Sequence, residues 1–354
     1  MAIPLRQSFR VGAYVAKQKL RGRAKYPLVL QLEPLYQCNL ECAGCGKIQY
    51  PNDILRRRLT VRQCIDAVEE CGAPIVSIAG GEPLVHQEID QIVNALVGRK
   101  RFVYLCTNAI LMPRKLDLFE PSPYFSWSVH IDGLRERHDQ SVCCAGVFDK
   151  AVEAIREAKS RGFRVSTNST FFDPDDASSI RAVLDYLNDE LQVDVMQISP
   201  GFAYEKAPDQ EHFLGVERTR RIFREAFAGG RRKKWRLNHS PLFLDFLEGK
   251  AEFQCTPWGI PCYSVFGWQR PCYLMAEGGY ANSYRELVEE TDWSLYGRGR
   301  HPKCANCMAH CGYEPSAVTA TSDSLRESLR AAGDTLAGQL RFHSPLRRKV
   351  QSLT

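Results

Sequence analysis

Three cysteines, Cys38, Cys42 and Cys45, are spaced C-x3-C-x2-C in the run Cys-Asn-Leu-Glu-Cys-Ala-Gly-Cys. Three thiolates this close can all serve one site. A closed structural metal site takes four ligands, so three are one short. A 4Fe–4S cluster held by three thiolates keeps one iron open for a substrate or cofactor. A zinc site with a distant fourth ligand is the competing account. A second motif, Gly80-Gly81-Glu82-Pro83, offers backbone that can approach a ligand closely and an acid that can pair with an ammonium. As an ordinary turn it would need neither property. Asn108, Ser128, His130 and Asn168 are polar residues near the ends of apolar runs, where a ligand or the fold itself could use them. Cys106 ends another such run. Its thiol could give a hydrogen atom to a radical, or be a small buried hydrophobe.

The remaining cysteines divide by context. Cys64 and Cys71 fall in a helical pattern and read as packing, and Cys143 and Cys144 are adjacent with no evident role. Six of the fourteen cysteines are C-terminal: Cys255, Cys262, Cys272, Cys304, Cys307 and Cys311. The triplet Cys304, Cys307 and Cys311, spaced C-x2-C-x3-C, could form a second metal site with an upstream cysteine.

These side chains need a scaffold. The chain has 354 residues, enough for one large domain with an appendage or for two. Strand-like and helix-like segments alternate from about residue 28. Strands are expected near residues 28–32, 75–78, 102–106, 125–131, 163–168 and 193–198. Helices are expected from Thr60, over 87–96, 113–119, 147–160 and 177–187. Six strand–helix repeats imply parallel strands covered by helices, in an open sheet or partial barrel. The cysteine loop, the Gly-Gly-Glu-Pro turn, Cys106 to Asn108 and His130 all fall at strand C-terminal ends, where such folds keep their sites. The expected organisation is a basic arm over 1–27, the strand–helix unit over 28–200, a helical and cysteine-rich part over 201–320, and a polar, poorly ordered tail over 321–354.

Net charge is +6, from 47 basic and 41 acidic residues, too modest to demand a nucleic-acid partner. No apolar run reaches about 18 residues, so no transmembrane helix is expected. Arg6, Arg10, Lys17 and Lys19 interrupt any secretory signal core. Clustered cysteines without an export signal suggest metal ligation in a reducing cytoplasm. Two basic stretches lie beside apolar residues. One is Lys17 to Lys25, after Leu5, Phe9, Val11 and Tyr14. The other is Arg231 to Arg236 around Trp235. Either could rest on an anionic membrane at its inner face, or be a solvated surface.

The triplet after a first strand, followed by Gly-Gly-Glu-Pro after a second, resembles the radical S-adenosylmethionine (SAM) superfamily. Four segments narrow the match to the radical SAM family of hopanoid biosynthesis, the adenosylhopane synthases. They are Cys-Asn-Leu-Glu-Cys-Ala-Gly-Cys-Gly-Lys-Ile-Gln-Tyr-Pro, Ser-Ile-Ala-Gly-Gly-Glu-Pro-Leu, Ser-Val-His-Ile-Asp-Gly and Cys-Met-Ala-His-Cys-Gly-Tyr-Glu-Pro-Ser-Ala-Val. The resemblance spans about residues 1–320. It implies a 4Fe–4S cluster on Cys38, Cys42 and Cys45, with SAM consumed as co-substrate. It places SAM against Gly80, Gly81, Glu82, Asn108, Ser128, His130 and Asn168. It also implies the triterpene diploptene as substrate, Cys106 as hydrogen donor, and flavodoxin or ferredoxin as electron donor. The superfamily usually has an aromatic before its third cysteine. Here that place is Gly44, so Ile48 and Tyr50 become expected adenine walls, and residues 243–268 an expected wall for the lipid. A peptide-modifying or sulfatase-maturing radical enzyme with an auxiliary cluster is the alternative.

Overall fold

The computed structural model describes residues 3–202, 204–275 and 277–342. In chain order, α1 (Leu5–Leu20) leads to β1 (Val29–Glu33), a one-turn α2 (Asn52–Leu55), α3 (Val61–Cys71) and β2 (Ile75–Ile78). Then come α4 (Ile89–Gly98), β3 (Phe102–Thr107), β4 (Phe125–His130), α5 (Arg135–Ser141) and α6 (Val147–Ser160). They are followed by β5 (Val165–Phe171), α7 (Ala177–Asp185) and β6 (Val195–Pro200). The last part holds α8 (Val216–Phe227), α9 (Pro241–Leu247), three short strands and α10 (Tyr284–Glu290). The strands are β7 (Cys262–Ser264), β8 (Gly267–Gln269) and β9 (Tyr280–Ala281). Two helices close the chain, α11 (His310–Asp323) and α12 (Leu325–Phe342).

Local chemistry explains the boundaries. Thr60 caps α3 through a reciprocal box with Gln63, and left-handed Gly72 ends that helix. Asp176 caps α7 by accepting from the amides of Ser178 and Ser179. Ser240 followed by Pro241 starts α9. The expected helix over 113–119 is instead two 3₁₀ turns, Met112–Arg114 and Leu116–Leu118. With Pro113 near its start and few residues before β4, a longer helix has no room to develop.

The six parallel strands are ordered β6-β5-β4-β3-β2-β1, a partial barrel, and β7, β8 and β9 extend the sheet beyond β1. β7 pairs parallel to β1, then β8 and β9 run antiparallel. The C-terminal part therefore returns to the same sheet. Along the strands, one set of alternate residues packs beneath the helices: Leu30, Leu32, Val76, Ile78, Val103, Leu105, Val129 and Ile198 are all buried in the main core. The other set is largely polar and faces the barrel interior, as Gln31, Ser77, Ser128, Asn168 and Gln197 do. This is the period-two rule with the barrel interior as its polar side.

The basic arm over 1–27 is built on a 16-residue helix, α1, docked by Gln7, Val15 and Gln18. The expected poorly ordered tail is helical through α12, whose Arg330 pairs with Asp245 at 2.8 Å; residues 343–354 lie outside the described residues.

Backbone bonds continue past the strand ends. The amides of Ala79, Gly81 and Glu82 donate to the carbonyls of Leu32, Leu35 and Gln37, at 2.8, 2.9 and 3.0 Å. The two chains run so close that a Cβ on Gly81 would lie 2.1 Å from the Gln37 oxygen, and one on Gly80, at φ +107°, 2.2 Å from the Leu35 oxygen. Gly81→Ala is therefore expected to destabilise the fold by roughly 3 kcal/mol and to lower the thermal unfolding midpoint measured under anaerobic conditions.

Candidate functional site

At the C-terminal ends of the parallel strands lies a chamber of about 520 Å³. The cysteine triplet and the residues the sequence offered for SAM and hydrogen transfer all line it: Cys38, Cys42, Cys45, Gly80, Gly81, Glu82, Cys106, Asn108, Ser128, His130 and Asn168. Strand register explains the convergence. Cys106 is opposite Ser128, His130 is opposite Asn168, and Asn168 is opposite Gln197.

The cysteine loop and the turns after β2 and β3 form one network. Glu82 is buried, and its carboxylate accepts from the amides of Leu84 and Asn108 and the hydroxyl of Thr107, at 3.0, 2.8 and 2.9 Å. Asn108 in turn donates through Nδ2 to Asn39 at 2.7 Å, beside Cys38. Burial pushes the Glu82 carboxyl up to about 7, with the three donors pulling the other way. Among the described residues no basic side chain pairs with it. An ammonium arriving from a ligand would supply that missing charge.

The three thiols fit a metal cluster by their chemistry. Burial raises the pKa of Cys38 to about 11, and raises that of Cys42 further, with the neighbouring cysteine charges adding to both. The nearby Lys47 is committed to Glu33 at 2.8 Å, and Arg137 to Asp175 at 2.9 Å. Thiolates there need a positive centre of their own. Among the described residues no three His, Cys, Asp or Glu side chains are arranged for one metal ion. A cubane does not need that arrangement, because its cysteines bind different irons.

Cys106 is half-buried on the chamber floor, 3.5 Å from the Ser77 hydroxyl. Burial raises its pKa despite the Ser77 and Ser128 hydroxyls, so it stays a protonated thiol at neutral pH. His130 and Asp132 form an ion pair at 2.7 Å. Burial opposes the imidazolium, but Asp132 outweighs it and raises the His130 pKa. Asp132 also accepts from the Thr170 amide and the Ser141 hydroxyl, and is held below the usual carboxylate range against the pull of burial.

Gly44 faces the Phe172 ring, which a Cβ there would meet at 3.2 Å. An aromatic is thus supplied across space, from just after β5, where the local sequence lacks one. Ile48 lines the chamber as expected. Tyr50 does not; it stacks on Tyr36 at 5.2 Å and meets Phe266 at a tilt. The expected wall over 243–268 is corrected too: Phe243, Phe246 and Trp268 are core residues. The apolar and aromatic wall comes from Phe172, Phe202, Tyr204, Tyr273 and Leu274. Gln197, Ser199 and His310 were not singled out from the sequence. Alternation along β6 was the available signal for the first two.

The C-terminal cysteines gather under this wall. Cys255 packs against Gly312, next to Cys311, and Cys304 Sγ is 3.9 Å from Met275 Sδ. Cys272, Cys304, Cys307 and Cys311 belong to one apolar cluster. Cys262 stands apart on β7, near Glu33 and Lys47. The basic stretch around Trp235 proves structural: Arg232 pairs with Asp245 and Glu248, and buried Trp235 donates to Asp185 at 2.7 Å.

His138 on α5 accepts from the Asp132 amide at 3.2 Å, which fixes that turn. Burial, then the nearby His130, lowers its pKa to about 4. An unfolded histidine takes a proton near 6.5, so the unfolded state binds more protons between these values. Stability is expected to fall by up to about 3 kcal/mol as pH drops from 6.5 to 4. His138→Asn keeps an acceptor but cannot ionise, so its unfolding midpoint should depend less on pH across that window.

Comparisons agree with this geometry. Residues 32–187 match the radical SAM superfamily, and residues 196–331 match a domain of unknown function, DUF3463. The mycofactocin maturase MftC of Mycolicibacterium smegmatis is 30% identical over 141 residues, 39% of this chain and 36% of that one. The GTP 3',8-cyclase of Clostridium perfringens is 22% identical over 230 residues, 61% of this chain and 69% of that one. The chain spans little more than a third of the first curated relatives it matches. The structure of Streptococcus suis SuiB bound to S-adenosylmethionine shares the fold, with a TM-score of 0.60 at 16% identity, over 88% of this chain and 77% of that one. The superfamily uses a 4Fe–4S cluster and SAM. Residues 32–187, with their cysteine triplet on the rim of a partial barrel, belong to the radical SAM superfamily.

Proposed function

We propose that this protein is a radical SAM enzyme that joins a 5'-deoxyadenosyl group to the terminal alkene of diploptene, forming adenosylhopane. Cys38, Cys42 and Cys45 would hold the cluster, which, given one electron by an external donor, would supply a 5'-deoxyadenosyl radical from SAM with release of methionine. Addition at the methylene carbon makes a carbon–carbon bond and leaves a tertiary carbon radical. That radical needs one hydrogen atom. The observation that carries the proposal is Cys106: a protonated thiol on the floor of the chamber that the triplet lines. Its S–H bond breaks, a C–H bond forms, and the thiyl left behind regains an electron from an external donor such as flavodoxin or ferredoxin and a proton from solvent. Glu82 and the Gly80-Gly81 turn receive the methionine ammonium, while Asn108, Ser128, His130 and Asn168 bind the polar parts of SAM. Phe172 and Ile48 flank the adenine. The aromatic wall formed by Phe202, Tyr204 and Tyr273 takes the hydrocarbon.

Peptide modification, by a peptide-modifying or sulfatase-maturing type of enzyme, is the second reading. It is favoured by the shared fold with SuiB, which has also been solved bound to its precursor peptide SuiA (TM-score 0.58). Hydrogen abstraction from a peptide would not require Cys106. It would give the C-terminal site at Cys304, Cys307 and Cys311 a redox role, with Cys255 or Cys272 as fourth ligand.

Anaerobic reconstitution separates these parts. Replacing Cys38, Cys42 and Cys45 by Ala should remove about four irons per chain. Iron that persists in that variant and disappears when Cys304, Cys307 and Cys311 are also replaced would belong to the C-terminal site. With reductant, SAM and diploptene, the parent enzyme should yield an adenosyl-lipid carrying one deuterium when the reaction is run in D2O. Cys106→Ala should lower that yield on the order of a hundredfold while 5'-deoxyadenosine still forms. Free 5'-deoxyadenosine with no adduct from the parent enzyme would exclude the addition reaction.

A further inference from the structure

Helix α1 is amphipathic in an unusual sense: it has two apolar faces. One is docked. Val15 is buried with Tyr26 and Leu28, Val11 and Tyr14 pack beside them, and Gln7 accepts from the Tyr104 hydroxyl at 2.9 Å. The opposite face carries Leu5, Phe9, Ala13, Ala16 and Leu20, spaced i, i+4, i+8, i+11 and i+15, which is one stripe on a helix. That stripe points to solvent. Leu5, Phe9 and Leu20 are 53%, 78% and 89% exposed. Arg6, Arg10 and Lys17 border it on one side and Lys19 on the other, and Arg21, Arg23 and Lys25 follow. No carboxylate occurs before Glu33.

A similar stripe begins where α1 ends. Lys19 pairs with Asp323 at 2.5 Å, bringing the C-terminal end of α1 to the start of α12. There Leu325, Leu329, Leu336 and Leu340 are exposed at i, i+4, i+11 and i+15, with Arg326 alongside. Val11 and Tyr14, which the sequence offered as membrane anchors, are turned inward.

We infer that the solvent-facing stripe of α1, with that of α12 starting beside its C-terminal end, docks this protein on an anionic lipid surface. The leucines and phenylalanine enter the headgroup boundary, and Arg6, Lys17 and Arg21 reach the phosphates, while Lys19 stays with Asp323 and Arg10 with the Tyr124 hydroxyl. Charge complementarity favours this occupant. The stripe of α1, bordered by cations on a helix free of acids, matches a negatively charged interface better than a protein surface of mixed charge, and the acids of α12, Glu327 and Asp334, fall at helical positions opposite its leucines. The inference goes beyond the proposed reaction and does not depend on it.

Co-sedimentation of the full-length protein with vesicles tests it. One set is phosphatidylcholine alone, and the other is phosphatidylcholine mixed with phosphatidylglycerol. About tenfold more protein should partition onto the anionic vesicles, and added salt should reduce the difference. Phe9→Glu with Leu20→Glu should bring binding down to the phosphatidylcholine level, with the thermal midpoint unchanged. Phe9→Ala with Leu20→Ala, which removes the anchors without adding charge, should weaken binding in the same direction and keeps the test readable should the glutamates unsettle α1. Cys106→Ala should bind vesicles like the parent, which separates this outcome from the fate of the proposed chemistry. Equal binding to both vesicle types, or binding unaffected by either double variant, would overturn the inference. So would variants that dissociate a dimer without changing vesicle binding, since the stripe would then be an interface between copies of the chain.

Discussion

The site depends on a backbone seam between the segment after β1 and the turn after β2. Three amides, of Ala79, Gly81 and Glu82, donate to three carbonyls of residues 32–37. This carries sheet-like pairing beyond the strands and up to Cys38. Two glycines are required because the carbonyls of Leu35 and Gln37 occupy the space a side chain would take. A loop that must hold three thiols is thereby anchored on its N-terminal side by main-chain bonds. The seam then passes its rigidity onward. Glu82 holds the Asn108 turn, and Asn108 returns to Asn39 next to the first cysteine. Gly-Gly-Glu-Pro thus has a structural task that does not compete with ligand binding. It fixes the loop and leaves a buried carboxylate with no basic partner among the described residues.

Electrostatics in the chamber follow from burial. Basic side chains beside it are already committed, Lys47 to Glu33 and Arg137 to Asp175. The Glu82 carboxylate and the thiols are left to be balanced by what binds. Burial raises the pKa of Cys106, Cys38 and Cys42 alike. For the triplet, that cost is removed only by a metal centre. For Cys106 there is no such compensation, so it remains a thiol. One physical effect therefore separates two uses of the same residue type.

Much of the organisation was legible in the sequence. All six parallel strands appear within a few residues of their expected limits, because their apolar cores and turn residues are local signals. Thr60 was readable as a cap because its partner, Gln63, is three residues away. The cysteine triplet, Gly80 to Glu82, Cys106, Asn108, Ser128, His130 and Asn168 line one chamber, since strand C-terminal ends in this fold share a rim. Missed features involve contacts between distant segments. Tyr50 looked like an adenine wall because it is near Cys45 in the chain, yet it packs on Tyr36 and Phe266. Phe172, more than a hundred residues from Gly44, faces it. Trp235 among five basic residues suggested a surface anchor, but Trp235 is buried on Asp185, and Arg231 and Arg232 pair with Asp185, Asp245 and Glu248 from other elements.

What the sequence determined alone is the chemistry available: the triplet's spacing, the glycines and acid of the second turn, a thiol at the end of a strand, and the period of each element. Spacing along a chain is enough for this, because ligand loops, caps and strand alternation are set within a few residues. The tertiary structure decided which apolar groups face the chamber, solvent or the core. It placed Phe172 over Gly44, buried residues 243–246, returned the C-terminal strands to the sheet, and turned Val11 and Tyr14 inward while leaving Phe9 outside. An apolar side chain carries no address in its own sequence. Its surroundings are set by the segments that pack against it, and those are chosen only when the whole sheet assembles.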